Sequence, residues 1–142
     1  MKLNELSGAI INAAMQVHSA LGPGLLEESY KKCLAYELTQ RGFQVATEVE
    51  LPVVYKAVTV DLGYRIDLLV EATIIVELKA VQQLAPIHRA QLLAYLKLSR
   101  KPLGLLLNFN TLHLKDGIER LINTFPPLRT PASPVVEIPT TP

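Results

Sequence analysis

The chain has 142 residues, 49% of them apolar and 19% charged, which excludes disorder of the whole chain and supports a single core. Fourteen Lys+Arg against thirteen Asp+Glu leave a formal charge of +1, so no global field gathers polyanions, and a histone-like or tail-driven nucleic-acid binder is excluded. The single cysteine, Cys33, excludes an internal disulfide, a thiolate zinc site and a four-cysteine iron–sulfur cluster, and fits a reducing cytosol.

At the N-terminus Asn4, Glu5, Ser7, Asn12 and Gln16 interrupt every apolar run, so neither a signal peptide nor a membrane span is read there. A cytoplasmic protein without a membrane partner is expected. Leu6, Ile10, Ala13, Ala14, Val17 and Leu21 recur at spacings of three and four and predict one face of a first helix, which Gly22, Pro23 and Gly24 stop. A second helix is predicted from about Leu25 to Arg41. Its packed face is read as Leu26, Tyr30, Cys33, Leu34 and Leu38, with Gly42 as a left-handed cap.

The period then changes to two. Phe43, Val45, Thr47, Val49 and Leu51 alternate with polar neighbours, as do Val58, Val60 and Leu62, and further strands are predicted over 63–70 and 73–79. Pro86 opens a third helix in which Ile87, Ala90, Gln91, Ala94, Tyr95 and Leu98 repeat at helical spacing, and Pro102 closes it. The run from Leu103 to Asn110 predicts a buried strand, and Asp116 to Asn123 a short final helix. Six of the ten prolines follow Phe125, so a folded domain over 1–125 and a proline-rich flexible tail over 126–142 are expected. Helices flanking consecutive strands point to an α/β fold with a mixed sheet.

The chemistry concentrates in YRIDLLVEATIIVELKA. Residues two apart in a strand share a face, so Glu77 and Lys79 point one way and Val76 and Leu78 the other. A turn centred on Ala72 would set Asp67 opposite Glu77, whereas a two-residue turn would set it opposite Val76. Two carboxylates side by side among Ile66, Leu68, Leu69, Ile74 and Ile75 call for a cation, and a hard divalent ion such as Mg²⁺ suits them. The plainer alternative is a solvated strand face. Glu27, in the first turn of the second helix, could look toward the sheet as a third acid, or simply favour the helix dipole with Lys31 one turn on. His88, Gln91 and Tyr95 fall on one side of the third helix, and can bind phosphate or base edges or be ordinary half-buried residues. His18 and His113 are read as structural, with His18 beside the apolar face of the first helix and placed to hydrogen-bond across to the sheet. Lys31, Lys32, Lys97, Arg100 and Lys101 are read as solvated helix faces and ends.

Gly24-x-x-Glu27-x-x-Tyr30 resembles the signature of the GxxExxY proteins, a bacterial family within the PD-(D/E)XK nuclease superfamily. LGPGLLEESY, DLGYRIDLLVE, IVELKAV, PIHRAQLLAYLKL and LGLLLNFN carry the likeness from about Ile10 to Asn123. The resemblance implies a restriction-endonuclease-like αβββαβ core with an extra N-terminal helix. It implies a Mg²⁺- or Mn²⁺-dependent nuclease with nucleic acid, DNA above all, as partner, and a homodimer where two strands are cut. By position it makes Asp67, Glu77 and Lys79 the catalytic motif, with Glu27 supporting them. Asp67, Glu77, Glu27 and the Leu78 carbonyl become the metal ligands. Gln91 and Tyr95 match a Q-x-x-x-Y element that contacts substrate or braces the lysine, with His88 and Tyr30 as further substrate-binding residues. The iron–sulfur cluster of some relatives is not expected beside a lone cysteine. The alternative is a catalytically silent adaptor on the same fold.

Overall fold

The computed structural model describes residues 1–124; the expected tail, and the boundary placed at 125, lie outside the described residues. Two helices, α1 (Leu3–Leu21) and α2 (Glu27–Gln40), precede strands β1 (Val45–Glu50), β2 (Val53–Tyr55), β3 (Val58–Val60), β4 (Arg65–Val70) and β5 (Ile74–Lys79). Helix α3 (Pro86–Ser99), strand β6 (Leu103–Asn108), a 3₁₀ turn (Leu114–Gly117) and strand β7 (Ile118–Ile122) follow. The main sheet runs β1-β4-β5-β6-β7, with β2 and β3 forming a separate hairpin. Only β5 and β6 are parallel, because α3 makes the crossover between them. The predicted mixed sheet with flanking helices, the restriction-endonuclease-like arrangement, is the one observed.

The sheet is covered on both faces. Leu6, Ile10, Leu34 and Leu38 of α1 and α2 pack on Val76, Leu78, Leu105 and Leu107, while Leu92 and Leu96 of α3 pack on Ile75 and Leu106. Strand β6 is therefore buried along its whole length, which is why its sequence is apolar without alternation. Gly104 sits where a Cβ would come within 2.8 Å of Leu92 Cδ1, so the missing side chain lets α3 approach the strand.

Several expectations are corrected. The final segment is a 3₁₀ turn and a strand rather than a helix. β7 satisfies the free edge of β6, and Ile118 and Leu121, three apart, go to opposite faces of the sheet as strand residues must. On α2, Leu26 and Cys33 are exposed and the buried stripe is Tyr30, Lys31, Leu34 and Leu38; on α1, Leu21 is exposed, and Ser7 and His18 are buried instead. His18 Nε2 hydrogen-bonds the Thr111 carbonyl oxygen (2.8 Å), tying α1 to the loop after β6. Of the residues read at helical spacing along α3, Tyr95 is the buried one. Leu92, Tyr95 and Leu96 enter the core, whereas Ile87 is 70% exposed.

The alternation read along β1 does not keep to one face. Phe43 and Val45 pack on the α1/α2 side but Val49 and Leu51 on the α3 side, a reversal that an unbroken pleat forbids. It occurs at Glu48, a non-glycine residue with φ +53° in mid-strand. Strand β4 makes the same reversal between Leu68 and Ile66, with Asp67 at the crossing.

Candidate active site

The register of the β4–β5 hairpin decides what the site contains. Leu68 pairs with Val76, Leu69 with Ile75 and Val70 with Ile74, so the turn is centred on Ala72; Glu71 and Ala72 both take positive φ, +52° and +53°. One step further, where Asp67 and Glu77 face each other, side chains replace the backbone ladder. The Asp67 N–H donates to Glu77 Oε2 (2.9 Å), and the Leu78 N–H donates to Asp67 Oδ2 (2.9 Å). The two strands part at this point and leave two carboxylates clasped between them.

Both acids are enclosed, with side-chain exposure of 13% for Asp67 and residue exposure of 4% for Glu77. Burial, reinforced by the Asp67 charge, pushes the Glu77 carboxyl up to about 8. Burial also raises Asp67, against the lowering effect of the Leu78 N–H and Lys31. Glu27, the first residue of α2, is raised by its own partial burial and then by the Asp67 charge.

The GxxExxY spacing has a structural cause here. Gly24 takes φ +106°, and the Tyr30 hydroxyl donates to the Gly22 carbonyl (2.6 Å) while accepting from the Leu25 N–H (3.0 Å). Tyr30 is fully buried and stacks on Phe109 with ring centroids 4.7 Å apart. Its hydroxyl is committed at both ends, so Tyr30 is an anchor for the turn that presents Glu27 and not, as the sequence suggests, a substrate-binding group.

Two residues enter that the sequence reading assigned elsewhere or passed over. Lys31, read as solvated, is only 8% exposed and pairs with Glu28 (3.0 Å), Glu48 and Asp67 (3.5 Å); Glu27 is not its partner. Burial opposes its charge, but the Glu48 and Glu28 hydrogen bonds and the Asp67 charge outweigh that and hold its pKa above the ordinary lysine range. The available signal was its position, three and seven residues before Leu34 and Leu38 on the packed stripe. Glu48 reaches Lys31 from the reversed residue of β1, and no sequence pattern marks it.

Across the site, Lys79 Nζ donates to Gln91 Oε1 (3.1 Å), and Gln91 Nε2 lies 3.4 Å from the Tyr95 hydroxyl. The Tyr95 phenol is pushed up by burial and by the Glu77 carboxylate. His88 Nδ1 accepts the Ala85 N–H (2.9 Å) at the start of α3, leaving Nε2 for other partners. Lys79, His88, Gln91 and Tyr95 line one cleft of about 520 Å³.

Among the described residues no three Asp, Glu, His or Cys side chains already close around a point where an ion could sit. The donor chemistry is nonetheless that of a hard cation. Three carboxylates in mutual electrostatic contact, two of them buried enough to resist ionisation, gain most from a divalent ion with oxygen ligands.

An α/β fold in which two carboxylates and a lysine flank the parting of two central strands, beside a helix that grips the lysine, belongs to the class of nuclease-like folds. A family model described as the PD-(D/E)XK nuclease superfamily matches residues 4–121, and the chain belongs to that superfamily. No curated protein and no solved structure matches it. Nucleases of this superfamily generally use Mg²⁺ or Mn²⁺ and act on nucleic acid. Among the described residues no helix is long and apolar enough to cross a membrane.

Proposed function

We propose that this chain is a divalent-metal-dependent nuclease that hydrolyses phosphodiester bonds, with DNA as its first substrate. The observation that carries this reading is the Asp67–Glu77 clasp, a buried pair of like-charged groups held beside Lys79 at the one place where the central hairpin opens. Burying two carboxylates together is costly, and Lys31 offsets the charge of Asp67 alone, which leaves Glu77 to be matched by a cation.

Asp67, Glu77, Glu27 and the Leu78 carbonyl would hold Mg²⁺ or Mn²⁺, which when bound supplies a Lewis acid for the phosphate oxygens. Lys79 shares the strand face of Glu77, and its ammonium group stabilises charge developing on phosphorus and orients the attacking water. Gln91 fixes that ammonium by accepting one of its protons, and Tyr95 supports Gln91 from one turn further along α3. Lys31 neutralises the far side of Asp67 and keeps it in place.

The test is an assay of purified protein with Mg²⁺ or Mn²⁺ on single-stranded, duplex and branched DNA and on RNA, beside Glu77→Ala and Lys79→Ala. Cleavage by the wild type that falls by at least about a hundredfold in either variant supports the reading, that being the usual scale for removing a group that stabilises transition-state charge. Equal cleavage by all three, or none by the wild type together with no calorimetric binding of either metal, replaces it with the silent adaptor.

A further inference from the structure

The cleft beside Lys79 is built unlike a phosphate-binding groove. Besides its polar groups it is walled by Val53, Tyr64, Ile87, Ala94 and Leu98, so one apolar stripe of α3 lines open space. Ile87 is 70% exposed, Tyr64 41% and Leu98 36%, so the apolar walls of the cleft are open to a ligand from solvent. Tyr64 meets Tyr95 edge-on with centroids 6.2 Å apart, so ring surface from β4's approach and from α3 meets at one end of the cleft. The polar lining is Lys79, Gln91, His88 and the hydroxyls of Tyr64 and Tyr95.

We propose that this cleft receives an unpaired nucleobase adjoining the phosphate to be cut, so that the substrate is single-stranded nucleic acid or a strand with an unpaired segment, and not continuous duplex. The inference rests on the nuclease reading, since Lys79 and Gln91 are walls of both the cleft and the catalytic site. A base has apolar faces and polar edges, which is the chemistry the cleft offers: aliphatic and aromatic walls with an amide and an imidazole on the rim. Its volume, about 520 Å³, falls within the range of sites that enclose small organic groups. A continuous duplex presents phosphates and groove edges and keeps its base faces stacked. Phosphates need cations, and the only lysine or arginine lining the cleft is Lys79, already engaged by Gln91.

The experiment measures fluorescence anisotropy of labelled oligonucleotides with the full chain, in Ca²⁺ for binding and Mg²⁺ for cutting. A single strand, the matching duplex and an abasic strand of equal length are compared, each as DNA and, for the first two, as RNA. Ala94→Trp fills the cleft from an exposed position and Ile87→Ser removes apolar surface at its rim; thermal melting verifies that both fold. The single strand is expected to bind at least about tenfold more tightly than the duplex or the abasic strand, and Ala94→Trp to erase that difference. Equal binding of abasic and normal strands overturns the proposal, as does single-strand affinity unchanged in both variants, which returns the cleft to a protein occupant. If duplex is cut as fast as single strand while Lys79→Ala is inactive, the nuclease reading stands and this proposal falls. If no oligonucleotide is bound or cut, both fall.

Discussion

Glu77 is where burial and charge oppose each other most strongly. Its carboxyl is raised from an ordinary 4.5 to about 8, so the folded metal-free protein binds a proton there that the unfolded chain releases. Stability from this group is complete below about pH 4.5 and is lost as pH rises through 8. With chelator present, the melting temperature is therefore expected to fall between pH 5.5 and 8.5. Glu77→Gln should flatten much of that fall, leaving the same-signed contributions of Asp67 and Glu27. Saturating Mg²⁺ should protect most at the alkaline end, where the carboxylates are ionised. Lys31 makes a complementary prediction. Replacing it by Met leaves Asp67 buried without its counter-ion, and denaturant unfolding is expected to show a loss of about 1–3 kcal/mol, whereas Lys32→Met, at an exposed pair, should change stability by less than about 0.5 kcal/mol. Glu27, Asp67, Glu77 and Lys79 were marked as candidates by residue type and spacing, and given roles only by the family resemblance. Glu48 was not, because a positive φ in mid-strand leaves no trace in a glutamate.

At the scale of elements, the active-site geometry depends on how closely α3 lies on β6. Gly104→Val would push into Leu92, which is fully buried, and overpacking of this kind costs about 1–3 kcal/mol. Because Leu92 adjoins Gln91, cleavage by Gly104→Val is expected to drop with little change in substrate affinity, measured as a reduced kcat at near-constant KM. The periodicity of α3 was readable, but which side faces inward was not. Ile87, Ala90, Ala94 and Leu98 form as regular a stripe as Leu92 and Leu96, and only the position of the sheet decides between them. The segment after Gly117 failed for a related reason. Ile118, Leu121 and Ile122 satisfy helical spacing, but the unpaired edge of β6 offers hydrogen bonds that a helix there would leave unmade.

For the whole molecule, a formal charge of +1 supplies no field for nucleic acid, and the site itself gathers Glu27, Glu28, Glu48, Asp67 and Glu77 around Lys31 and Lys79. Such a cluster repels phosphate until a divalent ion offsets most of its negative charge. Oligonucleotide affinity is accordingly expected to weaken at least about tenfold when Ca²⁺ is replaced by chelator at constant ionic strength, as read by anisotropy. In Glu77→Gln the metal effect should shrink, because one of the proposed ligands has lost its charge.

The sequence by itself determined the element types over most of the chain and the mixed α/β class, and marked a small set of candidate residues. These follow from periodicity, breakers and side-chain type, all of which are local. What only the tertiary structure decided is where those residues meet: that the hairpin turns about Ala72, that Asp67 and Glu77 clasp each other's strands, that Tyr30 is a brace and Lys31 a buried counter-ion, and that the apolar side of α3 lines a cleft. The physical reason is that register, handedness at Glu48 and the choice of buried face are fixed by packing between segments distant in sequence, and such contacts leave no periodic signal in either partner.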